Sequence, residues 1–239
     1  MGYRINKKEI DLNKLQKIAQ GKRGYVYRLE KNALKVLENE ELNECIDKDT
    51  AKYLSGLRTD KILLPKNLLF YNNTFKGYTL KLVSQKPRSK NIISIPKNDF
   101  IRNVKELEED VRVLSSKQIL LNGIDPKNTI FNGSLYLSDP SRYTIFKTDN
   151  IENLENLNKY QLYILLQALI IQDLRKANVQ NDKIQALRGL LEMKEPDTEC
   201  SAYFDEIIDG HSNIKELVKK IIWTSNFTSL FFLNVYSKI

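Results

Sequence analysis

The chain has 239 residues, of which 41% are hydrophobic and 28% charged. This length and composition are typical of a globular protein with one good core or two small ones. The net charge is +8, and no apolar run reaches the roughly 18 residues that a membrane helix needs, so we expect no membrane partner.

The positive charge is concentrated in the first half of the chain. Residues 1–105 hold 23 Lys and Arg against 11 Asp and Glu. Such a surface can steer polyphosphate, nucleic acid or acidic partners toward the protein, or it can simply keep the protein in solution. We do not expect nucleic acid as a partner, because no basic stripe interleaved with aromatic residues and no nucleic-acid-binding module is present. Cys45 and Cys200 are isolated and lack metal-ligand spacing, which favours a reduced, cytoplasmic location.

The first 84 residues read mostly as strands. Residues 26–29 and 33–37 flank a short polar connection and predict one hairpin, and residues 67–71 and 76–83 predict a second. Between the hairpins, spaced apolar positions over residues 40–57 predict one helix. The expected order in this part is therefore strand, strand, helix, strand, strand.

The remainder of the chain changes character. Residues 85–97 are polar, contain two prolines and predict a connector, and apolar positions at three- and four-residue spacing then predict a helix over 98–117. An Asn-Gly pair at 132–133 predicts a short hairpin. Four further helices are expected at 157–177, 182–193, 198–208 and 212–223. We therefore predict an α+β protein in two units, 1–84 and 85–239, with a functional loop at 123–140.

The first candidate motif is a glycine-containing strand turn. Gly21 and Gly24 lie between two predicted strands, where the lack of a side chain would let backbone N–H groups approach a phosphate. Val26 follows and would then contact an adenine base. Ala19 stands where a GxGxxGxV pattern has its first glycine, so a purely structural hairpin is the alternative explanation.

Lys35 is the second candidate, because it lies within an apolar strand. A lysine there without a partner would be costly, which favours an anion such as the α and β phosphates of a nucleotide. Glu44, Asp47 and Asp49 of the following helix are possible carboxylate partners, and the sequence does not choose among them. An edge-strand lysine that faces solvent is the alternative.

A third motif could hold a metal ion. Asp139 follows the apolar strand pattern Leu-Tyr-Leu-Ser, and Asn128 lies one hairpin upstream. A carboxylate and an amide oxygen that meet across one ion are suitable ligands for Mg²⁺ in phosphoryl transfer. The alternative makes Asn128 a turn residue and Asp139 a strand terminator before Pro140.

Together these motifs resemble the protein kinase-like superfamily, including its small-molecule phosphotransferases, over about residues 15–175. The Ile-Leu-Leu-Pro stretch at 62–65 and Gly-Tyr-Thr-Leu-Lys at 77–81 are also similar to compact kinase-like proteins of low-GC Gram-positive bacteria. The resemblance implies a bilobal fold, with a small antiparallel sheet and one helix in the first lobe and a mainly helical second lobe. It also implies ATP and Mg²⁺ as cofactors.

The resemblance assigns a role to each candidate residue. Gly21 and Gly24 would form the glycine-rich loop, and Lys35 would pair with phosphates. The segment 82–84, which begins with Leu82 and Val83, would be the hinge that bonds adenine. Asn128 and Asp139 would bind the metal.

The chain departs from the family pattern at the catalytic aspartate. Gly123 stands five residues before Asn128, where the family has an aspartate, and the single histidine, His211, lies far downstream. Asp125 is the nearest substitute, and it would either orient an acceptor hydroxyl or only cap the turn. The resemblance therefore implies a phosphotransferase acting on a protein Ser/Thr or a small-molecule hydroxyl. The alternative is an inactive pseudokinase that serves as a nucleotide-binding or protein-interaction scaffold.

Overall fold

The computed structural model describes residues 2–21, 23–38, 45–83, 91–192 and 199–223. Seven strands form one antiparallel sheet, which follows the order β2-β1-β6-β7-β5-β4-β3. The strands are β1 (Tyr3–Ile5), β2 (Lys8–Ile10), β3 (Gln16–Gly21), β4 (Gly24–Leu29), β5 (Asn32–Leu37), β6 (Leu68–Tyr71) and β7 (Thr74–Lys81). The two predicted hairpins are β4–β5 and β6–β7, whereas β1 and β2 were not predicted.

Helices account for most of the remaining described chain. They are α1 (Lys48–Ser55), α2 (Lys97–Ser116), α3 (Ile151–Lys176), α4 (Asn181–Leu190), α5 (Cys200–Ile207) and α6 (Ile214–Trp223). Two small two-stranded sheets lie between α2 and α3, formed by β9 (Thr129–Phe131) with β10 (Leu135–Leu137) and by β8 (Ile119–Leu120) with β11 (Thr144–Ile145). The predicted α+β class is confirmed. None of the described helices combines the length and apolar character that crossing a bilayer requires.

Helix caps explain where the predicted helix boundaries were wrong. The helix expected over 40–57 begins only at Lys48, because the Asp47 carboxylate accepts a hydrogen bond from the Thr50 N–H at 2.7 Å; residues 39–44 lie outside the described chain. Helix α3 begins six residues earlier than expected because Asn150 caps it through the Asn153 N–H. In α6 the cap is Asn213, which accepts a bond from the Glu216 N–H.

The seven-stranded sheet has two different apolar faces. In β5, Ala33 contributes to the main core, which the sheet shares with the helices, while Leu34 and Val36 contribute to a smaller cluster on the other face with Ile5 and Leu69. Side chains alternate along a strand. Lys35 therefore points to the same face as Ala33, which is the face toward the helices.

Two buried polar residues of α2 fix the position of β10. The Asn103 side chain accepts a bond from the Leu135 N–H at 2.7 Å. The Asp110 carboxylate accepts three backbone N–H groups from residues 60–62. That segment in turn pairs with Leu137, two residues before Asp139. The end of β10 is thereby tied to the helical part of the molecule.

Candidate functional site

Lys35 and Asp139 meet although 104 residues separate them in the chain. The Lys35 Nζ lies 3.4 Å from the Asp139 Oδ2, and their side chains are only 10% and 14% exposed. Lys35 comes from the middle of β5, and Asp139 follows the end of β10. The structure thus brings together one cation from the sheet and one carboxylate from the small hairpin.

The side chains around Lys35 form a row across three adjacent strands. Val26 on β4 and Tyr78 on β7 are its direct cross-strand partners. Directly paired residues of antiparallel strands present their side chains on the same face. Val26 is half-buried against the main core, and Tyr78 is fully buried. The half-buried Val26, predicted to contact an adenine base, therefore lies on the same face as Lys35 and on the neighbouring strand.

The two glycines of the β3–β4 turn differ in their steric surroundings. Gly24 has a φ of +132°, and a Cβ at this position would lie 1.9 Å from the backbone oxygen of Val36. Packing against β5 therefore explains Gly24. A Cβ at Gly21 would meet nothing within 4 Å. The space beside Gly21 is open, so packing does not require a glycine there.

The tip of this turn contacts the segment that carries Asp139. The Arg23 Nη1 donates to the Ser141 Oγ at 3.0 Å. Ser141 is buried, and its backbone oxygen accepts a bond from the Ile46 N–H at 2.7 Å. Neither Arg23 nor Ser141 was predicted from the sequence, because a basic residue in a turn and a serine after Pro140 carry no distinctive pattern.

Asp139 is held by its own backbone as well as by Lys35. Its Oδ1 accepts a bond from the Ser141 N–H at 3.2 Å, which caps the short 3₁₀ turn Pro140–Arg142. The carboxylate thus has one oxygen fixed by the turn and one directed at Lys35. The strand-terminator explanation for Asp139 is correct as local geometry, and it is compatible with a further role.

Asn128 is hydrogen-bonded to Ser138, the residue before Asp139. Its backbone oxygen accepts both the Ser138 N–H at 2.8 Å and the Ser138 hydroxyl at 2.7 Å. Ser138 immediately precedes Asp139. These bonds hold the two predicted metal ligands on adjacent segments.

Asp125 caps the loop turn. Its Oδ1 accepts the Lys127 N–H at 2.8 Å, which starts the 3₁₀ turn Pro126–Asn128. At Gly123, with a φ of +68°, an added Cβ would lie 2.2 Å from the Arg142 Cδ. The position where a family aspartate would stand is therefore a left-handed glycine with the Arg142 side chain packed against it.

The predicted adenine hinge directly follows strand β7. Leu82 and Val83 directly follow β7 and contact the main core, with Val83 buried; Ser84, the end of the predicted hinge, lies outside the described residues.

Of the three proposed partners of Lys35, Asp47 caps α1 and Asp49 is exposed, and Glu44 lies outside the described residues. Among the described carboxylates it is Asp139 that pairs with Lys35.

Two buried tyrosines flank the ion pair, and the sequence analysis identified neither of them. Burial, and then the nearby Asp139 charge, raise the pKa of Tyr78 well above its ordinary value, and the same two causes raise the pKa of Tyr143. In the described structure the Tyr78 hydroxyl has no hydrogen-bond partner. A neutral phenol that is free to donate therefore lies in the field of the Asp139 carboxylate.

Comparison with known proteins adds no family assignment: no family model and no curated protein matches the chain.

Proposed function

We propose that the chain binds ATP with Mg²⁺ between the β3–β5 strands and the Asp139 segment, as a divergent protein kinase-like protein. The observation that carries this proposal is the contact between Lys35 and Asp139, a nearly buried cation and carboxylate supplied by different parts of the chain. Phosphoryl-transfer proteins of this class use one ammonium for the phosphates and one aspartate for the metal. The half-buried Val26, which pairs with Lys35 across the strands, supports the same assignment.

The donor atoms fit Mg²⁺. Asp139 would contribute a carboxylate oxygen and Asn128 an amide oxygen, both of the hard type that Mg²⁺ prefers. Within the described residues no group of three or more His, Cys, Asp or Glu has an arrangement that could hold a metal ion. A magnesium ion that is bound partly by phosphates needs only one or two protein ligands, so this absence agrees with the proposal. The ion would neutralise charge on the phosphates.

The proposed fold assignment is a bilobal kinase-like arrangement. Its support is the element order: the sheet with α1 comes first, and the mainly helical part follows from residue 91 onward. Lys35 belongs to the first part and Asp139 to the second. In this proposal, the direct Lys35–Asp139 ion pair belongs to the ligand-free protein. Binding a nucleotide would replace it with contacts through phosphate and metal.

We favour nucleotide binding without efficient turnover. Asp125 has one carboxylate oxygen engaged in capping, and Gly123 supplies no carboxylate. A general base must lie within hydrogen-bond reach of the hydroxyl that it deprotonates. The second candidate function is transfer of the γ-phosphate to a protein Ser/Thr or a small-molecule hydroxyl, with Asp125 orienting the acceptor through its other oxygen.

Thermal unfolding with ATP, and with ATP plus Mg²⁺, tests the binding proposal. At 100 times Kd a ligand stabilises the folded state by about 2.7 kcal/mol, which corresponds to roughly 5–10 °C in Tm for a chain of this size. We expect this shift in the wild type and in Lys31→Met, an exposed-lysine control beside β5, and its loss in Lys35→Met. Asp139→Asn should remove the additional effect of Mg²⁺. An unchanged wild-type Tm at millimolar ATP would refute the proposal.

A further inference from the structure

A cavity of about 810 Å³ lies between α1 and the β1–β6 end of the sheet, away from the Lys35–Asp139 site. Among the described residues that line it, five are basic and none is acidic. The basic residues are Arg4, Lys7, Lys48, Lys52 and Lys66. This cavity accounts for part of the positive charge that the sequence places in residues 1–105.

The fold directs these side chains toward the same space. Arg4 is paired with Phe70, and both alternate with Ile5 and Leu69, which are buried on the opposite face. Lys48 and Lys52 are one helical turn apart on α1, so they lie on one face of that helix. One wall of the cavity is therefore the sheet and the other is a helix with two adjacent lysines.

The ends of the cavity are formed by turns and by the start of β6. Asn6 and Lys7 form the β1–β2 turn in a left-handed conformation, with φ of 49° and 71°. The Asn6 side-chain amide donates to the Asn67 side-chain oxygen at 2.8 Å, which joins this turn to the segment that carries Lys66. Lys7 and Lys66 are thereby held at the same end.

Little of this charge is neutralised by the protein. Within the described part of the chain, Lys7, Lys48, Lys52 and Lys66 form no ion pair, and Arg4 has only an exposed pair with Glu9 at 3.3 Å. Exposed pairs of this kind contribute little. Several like charges around one concavity raise the local positive potential, and a bound polyanion would relieve their repulsion.

We propose that this cavity binds a small ligand that carries several phosphate groups. Its volume is within the range of small-molecule sites. Four of the five basic residues among the described lining are lysines, whose ammonium groups bind phosphate as compact point charges. Single-stranded nucleic acid is bound on aromatic platforms, whereas the described lining residues include one aromatic ring, that of Phe70.

The test uses inorganic tripolyphosphate as the probe, in calorimetric titrations of the full chain without Mg²⁺. The variant is Lys48→Gln/Lys52→Gln. The matched control is Lys215→Gln/Lys219→Gln, which changes the same charge at the same spacing on an exposed face of α6. Lys35→Met is included because the proposed nucleotide site could also bind this probe.

We expect the α1 double variant to bind tripolyphosphate about tenfold more weakly, since two charge-assisted contacts are lost. The α6 variant and Lys35→Met should change affinity less than about twofold. Equal weakening in both double variants would overturn the inference, as would no wild-type binding at millimolar probe. Loss in Lys35→Met alone would also overturn it, because it would place the probe at the nucleotide site.

Discussion

At the scale of single residues, the Lys35–Asp139 contact is the feature with the most defined chemistry. Each partner has a low exposed fraction, so each would be costly to leave unpaired. The sequence pointed to both residues, because a lysine within an apolar strand is unusual and an aspartate after a strand near Asn128 has the donor atoms of a magnesium site. It did not predict that they would contact each other, since its candidate partners for Lys35 were all in residues 44–49.

A double-mutant cycle measures this contact. Lys35→Met leaves the Asp139 carboxylate without its cation, and we expect the free energy of unfolding to fall by about 2 kcal/mol. Lys35→Met combined with Asp139→Asn should cost about 1–2 kcal/mol less than the sum of the single changes. Urea unfolding of the four proteins gives these values. Additive single effects would show that the two charges do not interact energetically.

At the scale of elements, the β3–β4 turn and the β9–β10 hairpin determine the site. Their existence was predictable from glycine and Asn-Gly signals. Their placement was not, because the β3–β4 turn is held by the contact of Arg23 with Ser141 and the β9–β10 hairpin by buried polar side chains of α2. Asn103 and Asp110 lie within a helix whose apolar pattern alone was used for prediction, and each binds backbone groups of a distant segment.

The two glycines of the β3–β4 turn make a matched pair for testing this element. Gly24→Ala would place a Cβ against the Val36 backbone at a φ of +132°, so we expect a loss of about 2–4 kcal/mol in unfolding free energy. Gly21→Ala enters open space and should change stability by no more than about 0.5 kcal/mol. Urea unfolding midpoints compare them. Similar destabilisation by both would contradict this description of the turn.

At the scale of the whole molecule, a buried charge cluster joins α2, α3 and α5. Burial and then the neighbouring Glu199 raise the pKa of Glu108 from 4.5 to about 7. Burial alone would raise the pKa of Glu199, but hydrogen bonds from Lys159 and Arg112 lower it to about 2. Glu108 also accepts the Cys200 N–H at the start of α5. We therefore expect the packing of α2 against α3 and α5 to depend on pH.

The pH dependence has a definite sign. Glu108 is protonated in the folded state and ionised in the unfolded state between pH 4.5 and about 7, so its contribution to stability is present below pH 4.5 and is lost as the pH rises toward 7. Glu199 acts oppositely, and its contribution is lost as the pH falls from 4.5 toward about 2. Together they favour the folded state most near pH 4–5.

We therefore expect Glu108→Gln to flatten the wild-type fall in stability between pH 5 and 8, which this group alone can make as steep as about 1.4 kcal/mol per pH unit. Urea unfolding at pH 5, 6, 7 and 8 measures the slope. Glu109→Gln, at the exposed neighbouring position on α2, should keep the wild-type slope. An unchanged slope in Glu108→Gln would show that Glu108 does not titrate in this range.

The sequence by itself determined the α+β class, the two hairpins, the principal helices and the individual residues with unusual chemistry. It could do so because periodicity, turn residues and charges in apolar runs act locally. Only the tertiary structure decided that Lys35 meets Asp139 and that five basic residues surround one cavity. These outcomes depend on contacts between distant segments, 61 residues apart for Asn6 and Asn67 and 104 for Lys35 and Asp139, and no local pattern specifies which distant side chains will meet.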